Sequence, residues 1–244
     1  MRNIKCVIAY DGAAFMGWQS QERGRTVQET IEGALQVVLG HQVRVIASGR
    51  TDSGVHAFAQ VINFPTESTI PADGLIRGLN TILPGDVAFL SAEDAPLEFN
   101  ARQMAKTKTY VYVMEISPIR NPFLARYALH EKGPLDCCSM QEAASYLLGE
   151  HDFTSFQGAG SPVRTTIRCI TTSEVLQKGN KVFFRMQGSG FLRHMVRNIV
   201  GTLLQVGKGK RAPTDMQRII ALKDRSFAGP TAPPQGLYLV GVEY

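Results

Sequence analysis

The sequence predicts an α+β protein made of two halves with the same element order. Three observations carry this. The chain has 244 residues, 44% hydrophobic and 19% charged, which is ordinary for a folded protein with a real core. Short apolar runs of period two alternate with longer runs of helical period. The order strand, helix, strand, strand, helix, strand then occurs twice. That order is the split βαβ, or ferredoxin-like, arrangement, a mainly antiparallel sheet with helices packed on one face. We expect halves at 1–103 and 104–244, whose sheets run on as one continuous platform with a cleft between them. The repeat is one of element order only.

In the first half, Ile4–Tyr10 reads as a strand turned by Asp11-Gly12, followed by a loop holding Trp18, the only tryptophan. Thr26 and Glu29 make a capping box. Val27, Ile31, Leu35 and Val38 form the apolar stripe of a helix that Gly40 ends. Val43–Ile46 and Gln60–Phe64 read as strands around a polar loop, Pro71–Leu83 as a helix, and Val87–Ser91 as a strand.

In the second half, Thr107–Ile116 alternates as a long strand and Met140–Leu148 is helical. Thr166–Gln177 and Lys181–Gln187 form a hairpin about Lys178-Gly179-Asn180. Phe191–Val206 reads as a strong helix, Thr214–Leu222 as a shorter one, and Leu237–Val242 as the final strand.

A net charge of +5 and a pI near 9.1 suit a polyanionic partner. The four cysteines, Cys6, Cys137, Cys138 and Cys169, show neither metal nor disulfide spacing. They read as small buried hydrophobes in a reducing compartment. With neither a signal peptide nor a long apolar span, the chain is expected to be cytoplasmic and free of the membrane. The five histidines lack metal spacing, a phosphate-binding GxxxxGK[ST] loop is missing, and so is the zinc-deaminase signature.

Ser48-Gly49-Arg50-Thr51-Asp52-Ser53-Gly54-Val55-His56-Ala57 is the polar loop between the two strands. Its glycines permit tight turning and close backbone approach. One carboxylate, Asp52, sits two residues from a cation, Arg50, as a fold would present a nucleophile; a solvated connecting loop would carry the same residue types. Arg193 and Arg197, four apart, would share a face of the Phe191 helix. Lys106 and Lys108 beside Tyr110, Arg164 with Arg168, and Lys208-Gly209-Lys210-Arg211 set cations among aromatics, as an RNA surface requires.

The stretch Gly49 to Ala57 resembles the signature of the TruA-type tRNA pseudouridine synthases. The resemblance extends through Tyr10-Asp11-Gly12 with Phe15 and Gly17-Trp18-Gln19, Asn80 with Leu83-Pro84 and Asp86, and Phe99-Asn100-Ala101-Arg102. It continues in Lys108-Thr109-Tyr110 and Tyr112, His151-Asp152-Phe153 with Phe156, His194 to Asn198 with Gly201, and Gly236-Leu237. It implies a pseudouridine synthase fold, a cofactor-free isomerisation of uridine, and a tRNA substrate modified in the anticodon stem-loop at positions 38, 39 and 40. It further implies Asp52 as the catalytic aspartate, by attack on ribose or abstraction of a sugar proton. Tyr110 would stack on the target base, Arg197 would pair with Asp52, and Arg50 would contact phosphates or fill the gap left by the flipped nucleotide. His56, within the signature, joins the residues expected to touch RNA. The resemblance also implies a homodimer. Two rivals remain: a tRNA-binding or folding module without catalysis, and a glycoside-type hydrolase pairing Asp52 with Asp11.

Overall fold

A computed structural model of the protein describes residues 1–160 and 163–244 and has ten strands and five helices among them. It is an α+β fold whose contacts divide it into two compact units. Unit 1 comprises Met1–Lys106 with Tyr238–Tyr244, and unit 2 comprises Thr107–Leu237.

Unit 1 contains β1 (Arg2–Tyr10), α1 (Val27–Leu39), β2 (Ile46–Ala47), β3 (His56–Thr66), α2 (Ala72–Ile82) and β4 (Val87–Ala95). The last strand, β10 (Leu237–Glu243), joins it through all but its first residue. β1 is central, antiparallel to β3 through Cys6↔Ile62 and to β4 through Cys6↔Ala92. β3 shares its other edge between two partners, β2 antiparallel at Ile46↔Asn63 and β10 parallel at Tyr238↔His56. Ile4, Cys6, Ile8 and Tyr10 alternate into the core, which Phe64, Ile31, Leu35, Leu75 and Leu79 complete. Thr26 caps α1, accepting from the Glu29 N–H, and Gly40 closes it in the left-handed region. Thr26 is the N-cap the sequence predicts, and the Glu29 carboxylate meets its hydroxyl at 3.5 Å.

The strand expected at 43–46 shrinks to two residues at 46–47. The Val45 N–H is taken by the Glu32 carboxylate of α1 at 3.0 Å, so the chain is held by a helix side chain before it reaches the sheet. The last strand, read with the second half in the sequence, groups with unit 1 because its backbone pairs with β3.

Unit 2 contains β5 (Thr107–Ile116), β6 (Leu129–Glu131), α3 (Cys137–Ser145), β7 (Gly149–Asp152), β8 (Ile167–Lys178), β9 (Lys181–Gly188), α4 (Met195–Gly207) and α5 (Asp215–Leu222). Its sheet runs β5-β9-β8-β7, antiparallel throughout, with β6 parallel to the end of β5. The β8–β9 hairpin turns at Gly179-Asn180, as the sequence indicates. β6 and β7 are short and polar, without the alternation that marks a strand, and were not anticipated.

The helix expected over 191–206 begins only at Met195. His194 stands in the left-handed region at φ 60° and breaks the periodicity carried by Phe191 and Leu192. Arg193 therefore precedes α4 and shares no face with Arg197. The cysteines also differ from expectation: only Cys6 is buried, while Cys137 and Cys169 are half-buried and Cys138 is exposed.

Asp152, at the end of β7, gathers the hydroxyls of Thr154 and Thr166, each at 2.6 Å, and the Lys223 ammonium at 3.1 Å. These bonds, the Thr154 and Thr166 hydroxyls foremost, hold its carboxyl far below the usual carboxylate range. A depressed folded-state pKa means that the stabilisation is complete above about pH 4 and is lost as pH falls toward the folded value. Urea midpoints followed from pH 5 to pH 2 should fall less in Asp152→Asn than in the wild type, because the variant has lost that titrating group.

Candidate active site

The Asp52 loop is held by the segment that follows β1. The Tyr10 and Thr51 hydroxyls lie 2.8 Å apart, and burial pushes the Tyr10 phenol up to about 12. The Trp18 N–H donates to the Thr51 carbonyl at 3.0 Å, and the Gly54 N–H and Ser53 hydroxyl both donate to the Phe15 carbonyl, at 3.3 and 3.2 Å. A turn closes the loop where the Val55 N–H reaches the Asp52 carbonyl at 3.1 Å. From β3, the fully buried Gln60 accepts the Ser48 hydroxyl and donates to the Gly49 carbonyl at 2.8 Å.

Two glycines make this backbone-to-backbone packing possible. Gly17 has φ 89°, and a Cβ on it would lie 2.9 Å from the Thr51 carbonyl. A Cβ on Gly12 would overlap the Val55 carbonyl oxygen. The stretches 10–19 and 48–57, separate in sequence, are thus one structural piece. It presents Asp52 half-buried and Arg50 exposed. The loop's backbone is thereby held from both sides by fixed partners.

Asp11, the rival second acid, is otherwise occupied. Its carboxylate caps the 3-10 turn at Gly12–Ala14, accepting from the Ala13 N–H at 2.9 Å, and stands 3.0 Å from His56 Nδ1. His56, expected to touch RNA, is instead 3% exposed, with its ring stacked 4.7 Å from Tyr238 and Nδ1 accepting the Gly12 N–H. It braces the turn and presents little surface. Phe58, 60% exposed, extends the stack on the other side of Tyr238.

In unit 2, Tyr110 and Lys108 point to the same side of β5, two residues apart. Tyr110 is 8% exposed and meets Phe191 edge to face at 5.0 Å. Arg197, on the first turn of α4, is half-buried; its Nε donates to the Ala232 carbonyl at 2.8 Å while the Ala232 N–H returns to the Arg197 carbonyl at 3.0 Å.

That strap over α4 is anchored by Asn198, fully buried beside Arg197. Its amide nitrogen donates to the Phe156 carbonyl at 2.8 Å, and its oxygen accepts from Thr231 at 2.6 Å and Arg225 at 3.1 Å. The Thr202 hydroxyl receives the Gly229 N–H at 2.8 Å. Asn198→Ala would take the donor from the Phe156 carbonyl and the shared acceptor from Thr231 and Arg225, and cost about 2 kcal/mol. We expect a lowered melting temperature and an impaired arginine position.

The remaining cations divide by setting. Lys106, Arg164 and Arg193 are exposed; Arg193 also donates to the Ala159 carbonyl at 2.7 Å. Arg168 is half-buried, bonded to the Thr165 and Ile167 carbonyls, and its pKa is lowered by burial. Sequence reasoning gave no role to Gln60 or Arg225 and placed Tyr10 only within the Tyr10-Asp11-Gly12 motif. Their roles come from partners 11 to 41 residues away, beyond the reach of a hydrophobic pattern.

Both stretches around these residues fall within a match to known proteins. The family profile described as tRNA pseudouridine synthase aligns with residues 6–102 and 143–244. The chain belongs to this family. A curated relative from Anoxybacillus flavithermus, named tRNA pseudouridine synthase A, is 47% identical over 245 residues, covering 100% of this chain and 99% of its own. Relatives of the same name from Caldicellulosiruptor bescii and Geotalea uraniireducens are 45% and 44% identical, with full coverage of both chains. No helix among the described residues is long and apolar enough to cross a membrane.

Proposed function

We propose that this protein isomerises uridine to pseudouridine in tRNA, with Asp52 as the nucleophile. The observation that carries the reading is the family match over both units, at up to 47% identity to synthases along the full chain. The bracing of the Asp52 loop supports it. The reaction breaks the bond from ribose C1′ to N1 of uracil, rotates the freed base, and joins C1′ to C5. The proton lost from C5 is balanced by one gained at N1.

In this reading Asp52 attacks C1′ as N1 leaves and is released when C5 bonds to C1′, Tyr110 stacks on the extruded base, and Arg197 pairs with the carboxylate and keeps it ionised. Arg50 contacts the backbone of the flipped nucleotide. Lys106, Lys108, Arg164, Arg168 and Arg193 supply the electrostatic grip on phosphates. The substrate region is the anticodon stem-loop, at positions 38 to 40, and the working form is a homodimer. Engagement of Asp11 in capping its own turn favours a single reacting acid over a paired-carboxylate hydrolase.

The test is pseudouridine mapping on tRNA transcripts incubated with the protein. Pseudouridine at positions 38, 39 or 40 is the expected result. Binding without modification would leave a tRNA-binding module in place of the enzyme. Sedimentation of the protein alone and with tRNA reads the dimer.

A further inference from the structure

Unit 1 carries a pocket of about 330 Å³ that adjoins the Asp52 loop, and its lining charge is of one sign. Arg44, Arg50 and Arg102 line it together with Asn100 and Gln103, while Trp18, 1% exposed, forms its apolar wall. No carboxylate lies among the lining residues. Arg102 sits at the end of the Phe99–Arg102 stretch, far in sequence from both other cations.

The walls are built rather than incidental. One is fixed by buried amides: Asn63 accepts the Ala101 N–H at 2.9 Å and donates to the Phe99 carbonyl at 3.1 Å, while Asn3 donates to the Phe99 and Pro96 carbonyls at 3.0 Å. The Tyr244 hydroxyl holds the Ala101 carbonyl at 2.8 Å, and Asn100 caps the N–H groups of Arg102 and Gln103. The opposite wall is a relay in which Gln19 donates to the buried Gln28, Gln28 to Glu32, and Arg44 to Glu32 at 3.2 Å. Glu32 thereby fixes Arg44 through one nitrogen of its fork and leaves the other donors open. The Arg50 and Arg102 guanidinium groups make no hydrogen bond or ion pair among the described residues.

Three guanidinium groups lining one polar pocket match the charge and donor chemistry of a phosphate. We propose that this pocket is a phosphodiester subsite, in which Arg44 and Arg102 hold a backbone phosphate of the RNA strand whose nucleotide is presented to Asp52. The proposal rests on the tRNA-modifying function above and assigns to Arg44 and Arg102 a role distinct from the chemistry. Arg50 spans the two, since it lines the pocket and lies two residues from the reacting acid. The phosphate contact then sets the register of the strand, because a charge held at a fixed point limits which nucleotide reaches the carboxylate.

The experiment measures tRNA binding, its salt dependence and steady-state kinetics for the wild type, Arg44→Ala/Arg102→Ala, and Arg44→Lys/Arg102→Lys. Melting curves should coincide. The alanine pair should raise Kd and KM roughly tenfold or more with kcat changed less than about twofold, and lower the slope of log Kd against log salt by about one to two. The lysine pair should restore most of the slope. Stem-loops with single methylphosphonate linkages separate a backbone phosphate from free phosphate. One neutralised position should weaken the wild type and leave the alanine pair unaffected. Unchanged Kd and slope in the alanine pair, with an active wild type, would overturn the subsite. An inactive wild type would overturn the enzymatic reading, while Kd, slope and the methylphosphonate scan would still decide the pocket.

Discussion

Asp52→Asn should abolish pseudouridine formation, lowering kcat at least roughly 10⁴-fold, as removal of a nucleophile does where the surrounding site stays intact. The substitution keeps the shape and removes the charge. The bonds named above that brace the loop use the Thr51, Asp52 and Gly49 carbonyls, the Gly54 and Val55 N–H groups and the side chains of Thr51, Ser53 and Gln60. These bonds remain in the variant, which should stay folded and still bind tRNA. Retained modification at more than a few percent of the wild-type rate would remove Asp52 from the chemistry.

Gly12→Ala should produce the largest effect of any single methyl group in unit 1. The added Cβ overlaps the Val55 carbonyl, a backbone atom that cannot rotate aside. Either the 3-10 turn or the Asp52 loop must move. Overpacking against backbone of this kind costs about 3 kcal/mol, which in a unit of this size lowers the melting temperature by roughly 10 °C. Activity should fall further than stability alone explains, because the same displacement moves the loop that carries Asp52. A variant that melts and turns over like the wild type would show that the two stretches are not packed in this way.

Much of this was legible in the sequence. Thr26, Glu29 and Gly40 bound α1 through local chemistry, so the helix could be placed from its own residues. The β8–β9 hairpin is likewise declared by the residues of its turn. The Asp52 loop stands out because glycines bracket an acid near an arginine. Where reading failed, the deciding partner lay elsewhere in the chain. Val45 lost its place in a strand to Glu32, thirteen residues earlier. The helix over 191–194 failed because the apolar periodicity continues through a stretch that His194 breaks with its left-handed backbone. Buried Asn198 and half-buried Arg225 form a polar hub, and polar residues in a core leave no trace in a hydrophobic pattern. Arg44 and Arg102 meet only through the turns that Asn3, Asn63 and Glu32 impose.

The shared edge of β3 has a consequence for synthesis. Its stretch around His56 and Ala57, directly after the Asp52 loop, is paired by Tyr238 and Leu239. While the chain is still growing, β1 to β4 are made well before their partner, and this edge and the His56 ring stay uncovered until Tyr238 and Leu239 emerge. A nascent chain cannot seal the bracing beside the Asp52 loop before β10 has been made, and the high sequence separation of that contact makes its closure a slow, late step.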